Sequence, residues 1–225
     1  MGNIVLLSSG LDSTVNLAEC IKKNEDTLAL TFDYGQKSAK KEIEFSKKIC
    51  RYYKIKHIIL EVPYFKKFSR SSLLKENLKI PFISEKDLKN RDKLLKSRDR
   101  VWVPNRNALF INIAACIAES LKIKYIVVGF NKEEAETFPD NSKNFLKAMN
   151  KTLSYSTLNK VKVKSYTLNL TKKEILKRGI KLNIPFQYLW VCYNGGKNFC
   201  WECESCIRFK NVIEDFNLKI WRKDE

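Results

Sequence analysis

Histidine occurs once in this chain, as His57. A lone imidazole with no evident catalytic company makes no nucleophilic triad. No G-x-x-x-x-G-K-[ST] is present, so the chain is not a P-loop hydrolase. No G-x-G-x-x-G follows the first apolar run, which counts against a dinucleotide fold. No stretch approaches the roughly 20 consecutive apolar residues of a membrane-spanning helix, so no membrane partner is expected. No basic leader with a cleavage site precedes the first apolar segment, and a cytoplasmic location is the expectation. Internal repeats, low-complexity linkers and heptads are missing too. Acidic residues are scarce: 25 Asp and Glu stand against 43 Lys and Arg, a formal net charge of +18. The lysines alternate with apolar positions, as in KKEIEFSKKICRYYKIKH at 40–57, which is the pattern of a solvated helix face. The charge favours anionic substrates. A basic RNA-binding module remains an alternative at this point.

What is present suits one sizeable core with a small appendage: 225 residues, 44 % of them hydrophobic. VLLSSGLDS at Val5–Ser13 places an apolar strand before a hydroxyl- and Gly-containing turn, and the turn feeds an apolar-periodic helix. Backbone N–H groups of such a turn and of the helix start cradle phosphate. Ser8, Ser9 and Ser13 add hydroxyls, and Gly10 can take a backbone conformation closed to other residues. Asp12 suits orientation of the turn or Mg²⁺ carried by a nucleotide. The alternative is an ordinary strand–turn–helix with a Ser/Asp cap.

Downstream, strands are expected at Thr27–Phe32, Ile55–Glu61, Tyr125–Gly129 and Lys160–Tyr166. Helices are expected at Ala39–Tyr53, Arg106–Leu121 and Ser142–Thr152, from Thr171, where Glu174 completes a capping box, to Leu182, and at Ile207–Phe216. The alternation predicts an α/β, Rossmann-like three-layer fold with a mostly parallel five-stranded sheet. The expected organisation is an α/β domain at 1–183, interrupted at 63–100 by a charged, partly helical and mobile insertion, then a C-terminal extension at 184–225. Ligands of such sheets bind beyond the C-terminal strand ends. Three loops there carry chemistry. In TFDYGQ, Tyr34 suits stacking on a base and Gln36 suits reading a base edge or phosphate; a plain Gly turn is the alternative. In VPNRN, Arg106 falls in a first helical turn, where the dipole disfavours a cation, so an anion partner is expected; Asn107 beside it offers donor and acceptor. In the loop 129–142, Glu133, Glu134 and Asp140 suit Mg²⁺ or purine N–H groups, and Asp140, Asn141 or Ser142 could instead cap the next helix.

Cys192, Cys200, Cys203 and Cys206 form C-x₇-C-x₂-C-x₂-C. Such spacing converges four thiolates on one tetrahedral ion, and the absence of His points to structural Zn²⁺. An iron–sulfur cluster, a redox dithiol pair and disulfides are the alternatives. Cys20, Cys50 and Cys116 lie in apolar helical contexts and are expected to be buried.

SSGLDS resembles the S-G-G-x-D-S loop of the N-type ATP pyrophosphatases, which include NAD, GMP and tRNA-lysidine synthetases. Together with TFDYGQ, VPNRNALF, FPDNS and the four cysteines, from Val5 to Arg208, the chain resembles the 7-cyano-7-deazaguanine synthase (QueC) family. Two departures stand out: Ser9 replaces a Gly, and the 129–142 loop has Glu134 for an Asp and Thr137 for a Gly. The resemblance implies ATP-dependent conversion of 7-carboxy-7-deazaguanine and ammonia into the nitrile, for queuosine or archaeosine synthesis. It implies ATP binding by Ser8, Ser9, Gly10, Leu11, Asp12, Ser13, Thr14 and Phe32. Asp12, Ser13 and Arg106 would be catalytic. Tyr34, Gln36, Asn107, Glu134, Thr137 and Asp140 would bind substrate, and the four cysteines Zn²⁺. It also implies Mg²⁺, a homodimer and no direct tRNA contact. A sister enzyme that amidates or thiolates tRNA is the rival on the same scaffold.

Overall fold

The computed structural model describes residues 2–216. Its five strands are β1 (Asn3–Leu6), β2 (Thr27–Asp33), β3 (Lys56–Glu61), β4 (Tyr125–Val127) and β5 (Lys162–Lys164). They form one parallel sheet in the order β3-β2-β1-β4-β5. Eight α-helices accompany them among the described residues: α1 (Leu11–Lys22), α2 (Ala39–Tyr53), α3 (Phe65–Phe68), α4 (Arg91–Val101), α5 (Arg106–Ser120), α6 (Lys143–Ser156), α7 (Lys172–Lys181) and α8 (Glu204–Glu214). The expected three-layer α/β fold is what forms.

The period-2 alternation of the strands assigns each residue a face. Ile4, Leu28, Leu30 and Ile126 point to α5 and α6, where Ile111, Ala114, Ala118 and Leu153 are buried. Val5, Leu7, Ala29 and Val127 point the other way, onto Leu17 and Cys20 of α1 and Ile49 and Cys50 of α2. A third cluster joins α1 and α7 to the C-terminal segment through Val15, Ile175, Leu176, Trp190 and Phe209. The chain leaves β1 toward β2 on one side, while β4 lies on the other. Their diverging connections open a crevice above the C-terminal ends of β1 and β4.

Some local expectations need correction, although the segment 63–100 is partly helical as read; it packs on the core. Phe65, Leu73 and Leu74 are buried in it, the Ser72 amide donates to the Arg100 carbonyl at 2.8 Å, and the Ile83 amide donates to Glu202 at 2.9 Å. Cys116 is exposed on α5, unlike buried Cys20 and Cys50. Helix α8 starts at Glu204 rather than Ile207, because Glu204 is buried and bonded to Ser97 at 3.1 Å and to Arg208 at 3.0 Å. The capping box of α7 forms as read, with Thr171 and Glu174 bonded reciprocally. Helix α8 ends at Glu214 rather than Phe216, and part of the expected C-terminal extension, 217–225, lies outside the described residues.

Candidate functional site

The loop between β1 and α1 is the floor of a cavity of about 280 Å³. Thr14 Oγ1 and Ser13 Oγ donate to the Gly10 carbonyl at 2.8 and 3.2 Å, which closes the turn into the helix. Ser8, Gly10, Leu11, Asp12 and Ser13 line the cavity, and the α1 N-terminus opens onto it. The special backbone position is not Gly10, whose φ of −70° is ordinary. It is Ser9, at φ 57°. That left-handed conformation costs a non-glycine residue roughly 1–2 kcal/mol. The Trp190 amide donates to the Ser9 carbonyl at 2.9 Å. Past the end of β4, Gly129 packs directly on the loop: a Cβ there would sit 2.9 Å from the Ser13 nitrogen. A side chain at 129 would push the two strand ends apart.

Above the loop lies a buried ion triad. Lys172 Nζ reaches Asp12 Oδ2 at 2.5 Å and Glu134 Oε1 at 2.8 Å. Asn131 Nδ2 donates to the same Asp12 oxygen at 2.9 Å, and Asn131 Oδ1 accepts from the Glu134 amide. Asp12 Oδ1 is buried with no hydrogen-bond partner. Burial pushes the Asp12 carboxyl up, against the pull of Lys172. Burial opposes the charge on Lys172, but Asp12 and Glu134 outweigh it and hold the ammonium above its ordinary range. Burial also opposes charge on Glu134, yet Lys172, with help from Arg208, holds its carboxyl down. Arg208 itself bridges α8 to this loop through Glu133 at 3.1 Å.

The other end of the cavity is aromatic and cationic. Phe32 and Phe110 stack with centroids 4.1 Å apart. Arg106 Nη1 donates to Tyr34 Oη at 3.1 Å, and Asn107 Nδ2 donates to the Asp140 carbonyl at 3.4 Å. Burial works against the Arg106 charge, but Tyr34 and Asp140 hold it firmly ionised. Glu42 accepts from Ser38 Oγ at 2.5 Å and from Gln36 Nε2 at 3.1 Å, and burial raises its carboxyl. Tyr193 closes the wall, its phenol pushed well up by burial.

Of the residues singled out from sequence, Ser8, Gly10, Leu11, Asp12, Ser13, Phe32, Tyr34, Arg106, Asn107, Glu134 and Asp140 meet at this one cavity. Five do not line it. Glu133 instead accepts from the Lys172 amide at 2.7 Å and pairs with Arg208 at 3.1 Å. Ser9 turns its hydroxyl back to the Ser8 carbonyl at 2.6 Å. Thr14 is buried in the helix start. Gln36 is buried, with its amide bonded to the Tyr34 amide, the Phe32 carbonyl and Glu42. Thr137 is buried and offers its carbonyl to Arg98 at 3.1 Å. Sequence reasoning missed Lys172, Glu42, Trp190 and Tyr193. Lys172 had a signal: like Arg106, it is a cation in the first turn of a helix.

The four C-terminal cysteines converge, with all sulfurs within 4.8 Å of one another. Cys200 and Cys206 sulfurs are 3.9 Å apart. Bonds of about 2.3 Å to a tetrahedral ion would give sulfur–sulfur edges of about 3.8 Å. The spacing suits one ion rather than a multi-iron cluster, whose metals would hold the sulfurs farther apart. Backbone amides of Asn194, Cys200 and Cys203 point at ligand sulfurs at 3.3 to 3.4 Å, the support expected around thiolates. Among the described residues the cysteines are unbridged.

Comparison with known proteins agrees with this geometry. A family model described as "Queuosine biosynthesis protein QueC" matches residues 2–217. A 7-cyano-7-deazaguanine synthase of Carboxydothermus hydrogenoformans is 53 % identical over 93 % of this chain and 96 % of its own length. One from Pelotomaculum thermopropionicum is 46 % identical over 98 % of this chain and 100 % of its own. An archaeal one from Methanosarcina barkeri is 42 % identical over 97 % and 96 %. Among solved structures, U34-tRNA thiolase NcsA from Methanococcus maripaludis matches with TM-score 0.52 and 16 % identity, over 97 % of this chain and 65 % of that one. A 4-thiouridine synthetase solved with RNA and bound ATP matches with TM-score 0.51 and 17 % identity, over 96 % and 51 %. At these identities the likeness is one of fold alone.

Proposed function

The chain belongs to the QueC family, and on that premise we propose that it uses ATP to turn 7-carboxy-7-deazaguanine and ammonia into 7-cyano-7-deazaguanine. The observation that carries the reading is the single cavity. It joins a hydroxyl- and N–H-rich loop at a helix start to a wall of Phe32, Tyr34, Phe110 and Arg106. A triphosphate at one end and a planar anionic purine analogue at the other would meet between them.

A carboxylate is a poor electrophile, so it is first activated. Its oxygen attacks the α-phosphorus of ATP, and pyrophosphate leaves toward the Ser8–Ser13 loop and Lys172. Ammonia adds to the acyl adenylate, and AMP departs with the former carboxylate oxygen, leaving the amide. A second activation at the amide oxygen, followed by its expulsion and loss of the nitrogen-bound protons, gives the nitrile. Attack at the γ-phosphorus instead would release ADP. Arg106 and Lys172 supply fixed positive charge, which acts strongly in a site that excludes water. Tyr34 and Asn107 orient the ring, and Asp140 with Glu134 would accept its N–H groups.

The unpartnered Asp12 Oδ1, with Glu134 nearby, fits a hard cation. Mg²⁺ there would neutralise phosphate charge when bound. The cysteine set fits Zn²⁺ in a structural role. Sulfur insertion would want a free thiol at the rim; the cysteine lining the cavity is Cys192, one of the four converging ligands. A cytoplasmic homodimer without direct tRNA contact completes the proposal. No helix among the described residues is long and apolar enough to cross a membrane.

The test is a mass-resolved assay of purified protein with Mg²⁺-ATP, an ammonium salt and 7-carboxy-7-deazaguanine. The nitrile is the expected product, and the same trace reads AMP against ADP. ATP binding without nitrile would overturn the substrate reading. Elemental analysis is expected to give one zinc per chain, and iron would overturn the metal assignment.

A further inference from the structure

We propose that Trp190 is a positioning residue that couples the cysteine site to the nucleotide loop. The proposal rests on the nucleotide reading above. Ser9 holds a left-handed backbone, at φ 57°, where this chain has no glycine to relieve it. Ser9 sits in the turn between β1 and the start of α1, and its neighbours Ser8, Gly10 and Leu11 line the cavity. Something must hold Ser9 there. Its carbonyl accepts from the Trp190 amide at 2.9 Å. The indole Nε1 of Trp190 in turn donates to the Cys192 carbonyl at 3.0 Å, within a buried environment.

The connection is short and continuous. Cys192 is one of the four converging sulfur ligands, and one residue, Val191, separates it from the Trp190 amide that holds Ser9. Trp190 is fixed on its other sides by Phe199, at a centroid distance of 5.0 Å, and by Phe45 of α2, at 5.5 Å. The segment from Leu189 to Cys203 has no helix or strand of its own. Four thiolates on one ion would therefore fix where Cys192 lies. The Cys192 carbonyl orients the indole, and the Trp190 amide holds the backbone of the turn at Ser9.

Two substitutions separate this from plain stabilisation. Trp190→Phe keeps an aromatic ring and the backbone amide but removes the indole N–H. Ser9→Gly removes the side chain that resists a positive φ, so the loop needs less support. Dissociation constants for Mg²⁺-ATP and for adenosine are measured on metal-loaded wild type, both single variants and the double variant, at equal metal content. Trp190→Phe should weaken Mg²⁺-ATP about tenfold in the wild-type background and under about threefold in the Ser9→Gly background. Adenosine, which has no phosphates, should bind all four alike. An equal loss in both backgrounds, an equal loss for adenosine, or no loss at all would overturn the proposal. If Trp190→Phe does not retain metal, chelation replaces it. Stripping metal should then weaken Mg²⁺-ATP more in wild type than in Ser9→Gly, and an equal effect would overturn the coupling. Failure of metal-loaded wild type to bind Mg²⁺-ATP would overturn the nucleotide reading and this proposal with it.

Discussion

Two loops leave neighbouring strands at the same rim of the sheet, and they use their polar groups in opposite ways. The loop after β1 keeps one acceptor free: Asp12 Oδ1 is buried without a partner, while the Ser8 and Ser13 hydroxyls line the cavity and bond each other at 3.3 Å. The turn after β2 has committed its own. Gln36 satisfies the Tyr34 amide, the Phe32 carbonyl and Glu42, while Asp33 caps the Gly35 amide at 2.9 Å. Position at the rim tells where a ligand lies. Unpartnered buried capacity at the rim is what distinguishes the two: Asp12 pairs it with a place on the cavity wall. On the proposed function the first loop binds, and the second holds Tyr34 and Glu42 in place.

The largest effect should follow from removing that uncommitted group. Asp12→Asn should lower turnover by at least about a hundredfold. It should leave thermal stability unchanged or raise it, since it removes a desolvated carboxylate while Lys172 keeps Glu134. Turnover assays beside a melting curve check both. A variant that lost stability and kept its rate would reverse the roles given to the two loops.

Lys172→Met strikes the same loop from the other side. It leaves two carboxylates without the cation that bridges them, with only Arg208 acting on Glu134. Breaking a buried pair costs about 3–5 kcal/mol, and the low end applies because Glu134 keeps 28 % side-chain exposure. The pH dependence has a definite sign. The Asp12 carboxyl is already raised by burial in the wild type. A group raised in the folded state contributes stability below its unfolded pKa and loses it as pH rises through the folded one. The deficit of Lys172→Met should therefore be larger at pH 8 than at pH 5 in denaturant titrations. A deficit independent of pH would mean that the triad is not what the lysine holds together.

How much of this was legible in sequence depended on whether a residue's role is local. The parallel sheet was, because apolar runs such as NIVLL and TLALTF carry their own period. The capping box of α7 was, because both partners lie within one turn. Arg106 was legible as a cation against a helix dipole, and the same argument applied to Lys172 would have found it; the capping box at Thr171 drew the reading to the helix start instead. Ser9 was legible only in part: it stands where the resembled family has Gly, but nothing local in the sequence says that its backbone is left-handed, and the adjacent Gly10 attracted the expectation. Nor was the role of Trp190, because its amide and its indole serve different distant segments. The start of α8 was missed because the buried partners of Glu204, Ser97 among them, lie on another helix. Strand β4 was expected to run to Gly129 and stops at Val127, and the close packing of Gly129 on Ser13 occupies the stretch beyond it.

The smallest effect belongs to the second loop and sharpens the contrast most. Gln36→Ala should cost about 1–3 kcal/mol, because it leaves the buried Tyr34 amide without an acceptor. Glu42 keeps its bond from Ser38 at 2.5 Å, and Tyr34 keeps Arg106 at 3.1 Å, so both cavity-lining side chains retain a partner. Activity per folded molecule should then stay within about threefold of wild type. The measurement is kcat/KM for each substrate beside the denaturant midpoint. A loss above tenfold in kcat/KM with an unshifted midpoint would mean that Gln36 turns toward the ligand when one binds. In that case both loops bind, and what separates them is only which of them is already open before the ligand arrives.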